Sequence, residues 1–550
     1  MPHARPDPAD VARYTAEGWW GQETVGDIVR RLARERPDAT AFVDEHGDRL
    51  SGRDYDLVAD RIAAALLATD AEPGDRVAVI MPDGGLVHAA FVGAERAGLV
   101  VVGIGHRAGE AEIDHLVGTC DARIIITAPE HRSEPAGPLV DRLREGHPSL
   151  SHHVVITPPS AQPTIEVTPP THAPIDADEL AVAIADRRLG PNDLYLLNST
   201  SGTTGLPKCV MHTQNRWFYF HRKAQELGDL GDSDVFLSAL PAPFGFGQWT
   251  SHFSPTLLGV PCVVMERFSA EGMLELMERE RVTVLCCVST QFIMALNSPD
   301  LDKRDLGSLR VMFTGGEAIP YHRAQEFEQR TGAVVLNFYG SNETGALSGT
   351  SLRDDQHHRL TTGGRAIPEM HVRLYDPDDT RTRIPGDRGR GIPACRGPAN
   401  ALGYLDERGN EELFTEDGWM LMGDLAEIDV DGWLRVVGRT SDFVIRGGKN
   451  ISASAVENEV GAHPAVRLAA AVPTPDEVFG ERVAVFAELH EGHRLTLEAL
   501  RDFLVARGVT MESIPEYLFV VDALPRASGG KVAKGDLRRD AARRVTGAAS

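Results

Sequence analysis

Residues 200–208 read Thr200-Ser201-Gly202-Thr203-Thr204-Gly205-Leu206-Pro207-Lys208, the most informative segment of the chain. The hydroxyl side chains, two glycines and final lysine make a flexible, donor-rich loop suited to a polyphosphate. Leu206 and Pro207 separate the second glycine from the lysine, so the segment is not a Walker A loop. The apolar run 194–197 predicts a short buried strand before the loop, and phosphate-binding loops usually follow strand ends. On composition alone, a surface linker is the alternative.

The bulk composition is that of a large, acidic globular enzyme. A chain of 550 residues exceeds one hydrophobic core, so two or three domains are expected. Hydrophobic residues make up 42% of the chain and charged residues 25%, which is ordinary for a soluble enzyme. The formal net charge of −24 argues against a nucleic-acid partner, which would require a basic surface. A nucleotide can still bind where local donors and Mg²⁺ overcome the acidic field.

The lysines, the cysteines and the N-terminus narrow the class of protein further. Only six lysines occur, at positions 208, 223, 303, 449, 531 and 534. The six cysteines have neither metal-binding spacing nor a disulfide framework, which predicts buried reduced thiols and a cytoplasmic location. The N-terminus lacks the apolar segment of a signal peptide, and no apolar run approaches the length of a membrane span.

From about residue 24 to residue 128, helical and strand-like patterns alternate. This alternation is typical of βαβ units around a mostly parallel sheet. The predicted helices are residues 25–34 and 86–97, and the predicted strands are residues 76–80, 99–104 and 123–127. Six prolines among residues 157–177 predict an exposed connector after this region.

A second α/β series follows the connector over residues 193–337. Residues 356–437 contain short strands interrupted by glycine and proline, which predicts a smaller β-rich lobe. A boundary after residue 439 leaves a compact α+β unit of ordinary domain size. The prediction is therefore an α/β protein: a large N-terminal domain (1–439) with two mostly parallel α/β subdomains and the β-rich lobe, followed by a small mobile C-terminal α+β domain (440–550).

Four further motifs follow the loop along the chain. They are Tyr339-Gly340-Ser341-Asn342-Glu343; Gly423-Asp424-Leu425; Gly438-Arg439 followed by Ile445-Arg446-Gly447-Gly448-Lys449-Asn450-Ile451; and Leu524-Pro525-Arg526 with Gly530-Lys531. Together with the loop, these motifs resemble, in the same order, those of the acyl-adenylate-forming superfamily of acyl-CoA synthetases, adenylation domains and luciferases. The resemblance is closest to acyl- or aryl-CoA ligases. Five elements in order are far more specific than any single motif.

The resemblance implies a site for ATP and Mg²⁺. The catalytic residues would be Lys208, Glu343 and Lys531, and Glu343 would also hold Mg²⁺ together with the nucleotide phosphates. The residues that would contact ATP or AMP are Thr200, Ser201, Gly202, Thr203, Thr204, Gly316, Glu317, Ala318, Asn337, Phe338, Tyr339, Gly340, Asn342, Asp424 and Arg439. Asn342 departs from the family's usual threonine but keeps a donor for the α-phosphate. Taken singly, Glu343 would be a surface glutamate after a Tyr-Gly turn, and Asp424 a turn residue.

Lys531 lies in a glycine-rich segment near the end of the chain. A lysine in such a segment is ordinarily solvated, and Lys534 is expected to be a surface charge of this kind. The resemblance instead places Lys531 between the carboxylate of the acid and the α-phosphate. A positive group is needed there because attack of a carboxylate on phosphorus joins two anions.

The acid pocket is expected to begin at residues 241–249. Phe244 stands where many family members have histidine, with Phe246 and Trp249 close by, although ordinary core aromatics are the alternative for all three. By resemblance, the remaining lining residues are Ser289, Gly315, Ser341 and Leu347. The stretch lacks the aspartate with which amino-acid-activating members bind an ammonium group. An apolar acid, whether aromatic, alicyclic or aliphatic, is therefore expected.

The implied reaction has two steps. The acid and ATP give acyl-AMP and pyrophosphate, and CoA then displaces AMP, because a mixed anhydride is a better electrophile than a carboxylate. The C-terminal domain would rotate between the steps about Ser441 and Asp442, although serine departs from the family's usual residue at the first position. Gly447, Gly448 and Lys449 would line the tunnel for the pantetheine arm of CoA.

Two alternatives remain at this point. The first is an adenylation enzyme that loads the pantetheine of a carrier protein, which would act in trans because no carrier segment is fused to the chain. The second is a nucleotide-binding regulatory protein that has lost its chemistry. Retention of Glu343, Asp424, Arg439 and Lys531 together counts against the second alternative.

Overall fold

A computed structural model of the chain describes residues 6–172, 177–199, 207–316, 319–377, 379–439, 442–446, 449–476, 478–526 and 532–546. Within these residues, two large sheets with mostly parallel strands are followed by a smaller antiparallel sheet and by a fourth sheet formed after residue 442. Helices pack on the large sheets, so the predicted α/β class is confirmed.

The region before residue 190 supplies most of the first large sheet and its covering helices. Its helices are α1 (Pro8–Ala16), α2 (Val25–Glu35), α3 (Gly52–Leu67), α4 (Gly85–Arg96), α5 (Glu110–Cys120), α6 (Ala136–Gly146) and α7 (Ala177–Arg187). Its strands are β1 (Thr40–Val43), β2 (Arg49–Ser51), β3 (Arg76–Ile80), β4 (Val100–Gly103), β5 (Ala122–Thr127), β6 (Glu130–His131), β7 (Glu134–Pro135), β8 (His152–Thr157) and β9 (Thr164–Thr168).

The next region, to residue 349, adds β10 and β11 to the first sheet and supplies most of the second. Its helices are α8 (Gln214–Gly228), α9 (Gly245–Gly247), α10 (Ser254–Leu258), α11 (Ala270–Arg279), α12 (Ser289–Leu296) and α13 (Tyr321–Thr331), with a π-helix over Gln248–Phe253. Its strands are β10 (Leu196–Ser199), β11 (Cys209–His212), β12 (Phe236–Ser238), β13 (Cys262–Val264), β14 (Val284–Cys286), β15 (Val311–Gly315), β16 (Val334–Ser341) and β17 (Gly345–Gly349).

The remainder of the chain forms the β-rich lobe and the C-terminal unit. The lobe contains α14 (Gln356–Thr361), α15 (Asn410–Leu413), β18 (Arg365–Ala366), β19 (Val372–Tyr375), β20 (Gly389–Cys395), β21 (Gly403–Tyr404), β22 (Met420–Leu421), β23 (Asp424–Ile428) and β24 (Leu434–Arg439). The C-terminal unit contains β25 (Phe443–Arg446), β26 (Lys449–Ser452), α16 (Ala453–Gly461), β27 (Val466–Asp476), β28 (Gly480–Leu489), α17 (Leu497–Ala506), β29 (Tyr517–Val520) and α18 (Lys534–Thr546).

The two large sheets are parallel in their interiors and antiparallel toward their edges. The first sheet has the strand order β21-β11-β10-β4-β3-β5-β8-β9, and the second has the order β18-β17-β16-β15-β14-β12-β13-β1-β2. The pairs from β10 to β8 in the first sheet and from β16 to β1 in the second sheet are parallel. Within each sheet the parallel strands end on the same edge. The side chains of Asn198, in β10, and Asn342, directly after β16, are hydrogen-bonded, so the ends of these two strands lie together although they belong to different sheets.

Helix α4 lies between the two large sheets. All of its residues, from Gly85 to Arg96, are buried, and it contacts strands of both sheets. A Cβ atom at Gly93 would lie 2.8 Å from Ile62, so only glycine permits α3 and α4 to approach this closely. One apolar cluster runs through both sheets, whereas separate clusters after residue 443 hold the C-terminal unit. The two large sheets are therefore packed tightly against each other through α4.

Two local expectations were wrong. The proline-rich segment 157–177 is not simply a connector, because β9 lies in it and pairs with β8 at the edge of the sheet. The Tyr-Gly pair before Glu343 is not a turn, because β16 continues through Tyr339 and Gly340 to Ser341. A Cβ atom at Gly340 would lie 1.9 Å from the Gly345 carbonyl oxygen, which explains a glycine inside this strand.

Burial of Glu95 on α4 makes the stability of the fold depend on pH. The carboxyl is 1% exposed, and its Oε2 accepts a hydrogen bond of 3.1 Å from the Gly26 amide. Burial raises the pKa of Glu95 from 4.5 to about 7. The stabilisation that protonation provides is therefore complete below pH 4.5 and is lost as the pH rises through about 7.

We expect Glu95→Gln, which stays neutral, to gain stability relative to the wild type as the pH rises from 5 to 8. The gain should be on the order of 3 kcal/mol, seen as a few degrees in Tm by thermal unfolding at both pH values. Glu130→Gln, at an exposed position, is the control and should show no such change. An equal Tm difference at both pH values for Glu95→Gln would contradict the raised pKa.

Candidate active site

The phosphate-loop segment connects two antiparallel strands. Ser199 of β10 pairs with Cys209 of β11, and residues 200–206 between them lie outside the described residues. Lys208, at the start of β11, is half-exposed, and its Nζ lies 4.8 Å from the ring centroid of Tyr404 and 3.6 Å from Glu412 Oε2. The ammonium group of Lys208 therefore lies over the face of the Tyr404 ring.

A tyrosine holds Glu343, the expected Mg²⁺ ligand. The Tyr404 hydroxyl donates a hydrogen bond of 2.6 Å to Glu343 Oε1, and the Ala401 amide donates one of 2.7 Å to the Glu343 carbonyl. Burial and then the charge of Glu343 raise the pKa of Tyr404, so its hydroxyl remains a donor. This contact engages Oε1, and within the described part of the chain the other carboxylate oxygen is not seen to accept a hydrogen bond. A single carboxylate beside nucleotide phosphates suits Mg²⁺.

The second expected carboxylate, Asp424, is also held by a tyrosine. Asp424 is 8% exposed, and its Oδ2 accepts a hydrogen bond of 3.0 Å from the Tyr339 hydroxyl. Asp424 begins β23 and pairs with Arg439 of β24, so the backbone of the expected cation lies beside the expected ribose ligand. Tyr339 thereby joins the end of β16 to the β-rich lobe.

Asn337 occupies a fixed orientation in β16. Its Nδ2 donates a hydrogen bond of 3.0 Å to the Thr362 carbonyl, which leaves Oδ1 as the acceptor for an adenine amino group. Phe338, the next residue, is 7% exposed and stacks on Phe313 with 5.4 Å between ring centroids. The strand thus presents one polar and one aromatic group in succession.

A cleft of about 1340 Å³ lies between the N-terminal region and the C-terminal unit. The predicted site residues that line it are Ser289, Gly316, Asn337, Phe338, Tyr339, Gly340, Asp424 and Asp442. From the C-terminal unit, Ser452, Arg526, Val532 and Lys534 also line it. The expected adenine and ribose contacts are therefore brought together, at the junction with the unit expected to move.

The expected acid-pocket aromatics lie apart from this cleft. Among the described residues that line it, Phe244, Phe246, Trp249, Gly315, Ser341 and Leu347 do not occur. Trp249 is fully buried in the π-helix segment and stacks on Phe246, with 5.7 Å between centroids. Its ring also meets Phe313 and Phe338 edge to face at 5.2 and 5.5 Å. Trp249 is thus a core residue that packs behind Phe338.

Phe244 packs at the end of β4. A Cβ atom at Gly105 would lie 3.1 Å from the Phe244 ring, so glycine leaves room for this aromatic. The preceding loop is anchored where the Ala242 amide donates a hydrogen bond of 2.6 Å to Asp83 Oδ1. Phe244 is accordingly held between the two large sheets.

Several expected site residues cannot be placed. Thr200, Ser201, Gly202, Thr203, Thr204, Glu317, Ala318, Ser441, Gly447, Gly448 and Lys531 lie outside the described residues. For Arg439 and Lys449, only the backbone is described. Lys534, expected at the surface, forms a 2.8 Å ion pair with Glu457 and is only 20% exposed.

The fold also brings to this site four polar residues that the motifs do not include: Asn198, His212, Arg216 and Tyr404. Tyr404 arrives because β21 pairs with β11, a long-range contact that no local pattern indicates. Asn198 carried a usable signal, since it is a buried polar residue in an apolar strand directly before the loop. His212 and Arg216 lie in a segment whose polar residues resemble an ordinary helix surface.

The model of the AMP-binding enzyme family matches residues 29–405, and that of the AMP-binding enzyme C-terminal domain matches residues 455–531. A medium-chain fatty-acid–CoA ligase of Escherichia coli (strain K12) is 31% identical over 543 residues, which cover 97% of this chain and 93% of the relative. A 2-hydroxy-7-methoxy-5-methyl-1-naphthoate–CoA ligase of Streptomyces carzinostaticus is 32% identical over 546 residues, which cover 98% and 97%.

Among solved structures, an anthranilate CoA ligase in complex with anthranoyl-AMP has the same fold. Its TM-score is 0.82 at 22% identity, over 96% of this chain and 98% of the other. Fold, motifs and relatives agree on the class, an adenylate-forming enzyme. The chain belongs to the AMP-binding enzyme family. Among the described residues, none of the helices has the length and apolarity needed to cross a bilayer.

We expect Tyr404→Phe to weaken the site without disturbing the fold, because it removes the hydroxyl that orients Glu343 and keeps the ring beneath Lys208. The loss of one hydrogen bond to a charged group should raise the concentration of Mg·ATP needed for half-maximal turnover about tenfold. The measurement is pyrophosphate release at varied Mg·ATP. Tyr375→Phe, which loses a 3.4 Å contact to Asp417 in the lobe, is the control. Equal Mg·ATP dependence in Tyr404→Phe and wild type would contradict the assignment.

Proposed function

We propose that this enzyme activates an apolar carboxylic acid with ATP and transfers the acyl group to CoA. The single observation that carries the proposal is the convergence of Asn337, Tyr339 and Asp424 on one cleft, with Glu343 and Lys208 on either side of Tyr404. These groups could bind the base, ribose and phosphates of one nucleotide. Acyl-AMP and pyrophosphate are the products of the first step, and the acyl thioester and AMP are the products of the second.

In this proposal, each of these side chains has one task. Asn337 accepts from the adenine amino group, Asp424 binds the ribose hydroxyls, and Lys208 attracts the phosphates. Glu343 would hold Mg²⁺, which would neutralise phosphate charge when bound. Tyr404 keeps the Glu343 carboxylate in place for that purpose.

The acid is proposed to lie toward the aromatic residues behind Phe338. Phe246 and Phe338 would form an apolar wall with the buried Trp249 packed behind it, and residues 241–249 contain no carboxylate that could pair with a substrate ammonium group. Phe244, Ser289, Gly315, Ser341 and Leu347 complete the proposed pocket. An aromatic, alicyclic or aliphatic acid fits such surroundings better than an amino acid.

Domain alternation is the proposed link between the two steps. The proposed domains are residues 1–439 and 440–550, with Ser441 and Asp442 as the hinge. Arg526 and Val532, on either side of the segment that contains Lys531, both line the cleft, which supports an adenylating role for that lysine. Lys449 pairs with Arg446 across β25 and β26. Lys449 and the two residues between this pair, Gly447 and Gly448, are proposed to line the tunnel for the thiol.

The experiment that tests the function is a pyrophosphate-release assay over a graded panel of acids, with CoA, with a carrier-protein pantetheine, or with neither. We expect apolar acids to support release, amino acids to fail, and CoA to accept the acyl group. Glu343→Gln and Lys208→Ala should both weaken release at limiting Mg·ATP. Transfer to the carrier alone would favour the carrier-loading alternative. Mg·ATP binding without release for any acid would favour a regulatory nucleotide-binding protein.

The two half-reactions should respond in opposite ways to two substitutions. Lys531→Ala should slow acyl-AMP formation by at least about 10²-fold, since it removes one preorganised charge-stabilising group. Thioester formation from supplied acyl-AMP should be nearly unchanged. Gly448→Trp should block thioester formation and leave adenylation intact.

The control for this pair is Lys534→Ala, because the ion pair with Glu457 gives that lysine a structural role. It should leave the ratio of the two rates unchanged. General destabilisation would depress both steps together. If Lys531→Ala slowed both half-reactions equally, or neither, domain alternation would have to be abandoned for this enzyme.

A further inference from the structure

Arg216 of helix α8 is a buried cation beneath the proposed phosphate site. It is 1% exposed, and no carboxylate in the described part of the chain lies within ion-pair distance of it. Removing a charge from water is costly unless other groups replace its hydration. Burial lowers the pKa of Arg216 to about 9, against the opposing effect of Glu343, so the guanidinium remains charged at pH 7.

Main-chain carbonyl groups replace the hydration of Arg216. Its Nη1 donates a hydrogen bond of 2.9 Å to the Asn342 carbonyl, and its Nη2 donates one of 3.4 Å to the Glu343 carbonyl. Its Nε donates one of 2.8 Å to the Ala399 carbonyl. One side chain therefore fixes the backbone of both Asn342 and Glu343 to the segment that leads to Tyr404.

A second route runs from Arg216 to the side chain of Asn342. Arg216 Nη1 also contacts His212 Nδ1. Because arginine only donates, Nδ1 must accept, so the proton of the neutral ring lies on Nε2. His212 Nε2 then donates a hydrogen bond of 2.7 Å to Asn198 Oδ1. Burial holds the pKa of His212 well below its ordinary value, which keeps the ring neutral.

The last link of this route is a pair of facing amides. Asn342 Nδ2 donates a hydrogen bond of 2.6 Å to Asn198 Oδ1, and Asn198 Nδ2 donates to the Pro243 carbonyl at 3.0 Å and to Asn342 Oδ1 at 3.3 Å. Because Arg216 can only donate, it fixes His212 Nε2 as a donor, which in turn fixes Asn198 Oδ1 as an acceptor and orients both amides. A Cβ atom at Gly245 would lie 2.5 Å from Asn342 Oδ1, so the amide has little freedom to turn.

We propose that Arg216 is a positioning residue for adenylation. It holds the backbone of Asn342 and Glu343 directly, and it orients the Asn342 amide through His212 and Asn198. The second hydrogen of Asn342 Nδ2 is thereby kept available for the nucleotide, and the Glu343 carboxylate is kept beside Tyr404. This inference rests on the proposed function, because it concerns the groups that would meet Mg·ATP.

The test compares Arg216→Met, Arg216→Lys and Asn198→Ala with wild type in two assays at varied Mg²⁺: acid-dependent ATP–pyrophosphate exchange, and thioester formation from supplied acyl-AMP. Arg216→Met should reduce exchange at least about tenfold and raise the Mg²⁺ requirement, while thioester formation changes less than about twofold. Arg216→Lys, which keeps the charge and some hydrogen bonds, should recover part of the exchange. Asn198→Ala should reduce exchange several-fold without changing the Mg²⁺ requirement, because only the amide route is cut.

Arg222→Met on the same helix is the matched control, since Arg222 is half-exposed and donates to Gly18 and Trp19 carbonyls instead. It should leave both assays unchanged. Equal losses in the two half-reactions, or a loss of thermal stability with wild-type exchange, would overturn the positioning role. If Arg216→Met does not fold, wild-type exchange in Asn198→Ala overturns it. Absence of exchange in the wild type would instead overturn the proposed function, so the two failures are distinguishable.

Discussion

The amide pair between Asn198 and Asn342 joins the ends of the two large sheets, and the rest of the site depends on this contact. Asn198 lies near the end of β10, before the loop of residues 200–206, and Asn342 follows the end of β16. Both sheets supply groups proposed to meet the nucleotide, and the smaller antiparallel sheet adds Asp424. A buried polar network therefore connects the end of β10 to the residues that follow β16.

The two carboxylates of the proposed nucleotide site are held in the same way. The Tyr404 hydroxyl donates to Glu343 and the Tyr339 hydroxyl donates to Asp424, so a tyrosine orients each carboxylate. The protein carries a net charge of −24, so the charged groups near the site, rather than the overall charge, must attract an anionic nucleotide. In the proposed function, Glu343 and Asp424 bind Mg²⁺ and ribose, Lys208 attracts the phosphates, and Arg216 positions Asn342 and Glu343.

Sequence reasoning succeeded where the information is local or carried by motifs. The strands at 76–80 and 123–127 and the helix at 25–34 follow from hydrophobic periodicity, and the structure contains them with small shifts at their ends. The motifs placed Asn337, Tyr339 and Asp424 in one site, and the fold brings them to one cleft.

Other parts of the site could not be predicted from the sequence. Tyr404 reaches Glu343 only because β21 joins the edge of a sheet whose inner strands come from much earlier in the chain. Arg216 looks like a surface arginine until helix α8 is packed beneath residues 342–343, where it becomes fully buried. Strand β9 was hidden by the flanking prolines, because an edge strand needs only one partner and tolerates them. Long-range pairing, rather than local propensity, decides each of these cases.

The burial of Trp249 has an evolutionary consequence. Phe246, Phe313, Phe338 and Phe220 surround this side chain, and it is fully enclosed. A mutation that shrinks it to admit a larger acid would also open a void, at a cost of about 3–5 kcal/mol. That cost is comparable with the whole stability margin of many domains, about 5–15 kcal/mol. An enzyme that evolves to accept a different acid by a mutation of Trp249 would therefore need stabilising mutations first. The packing of the core, rather than the chemistry of the reaction, would then decide the order in which its mutations occur.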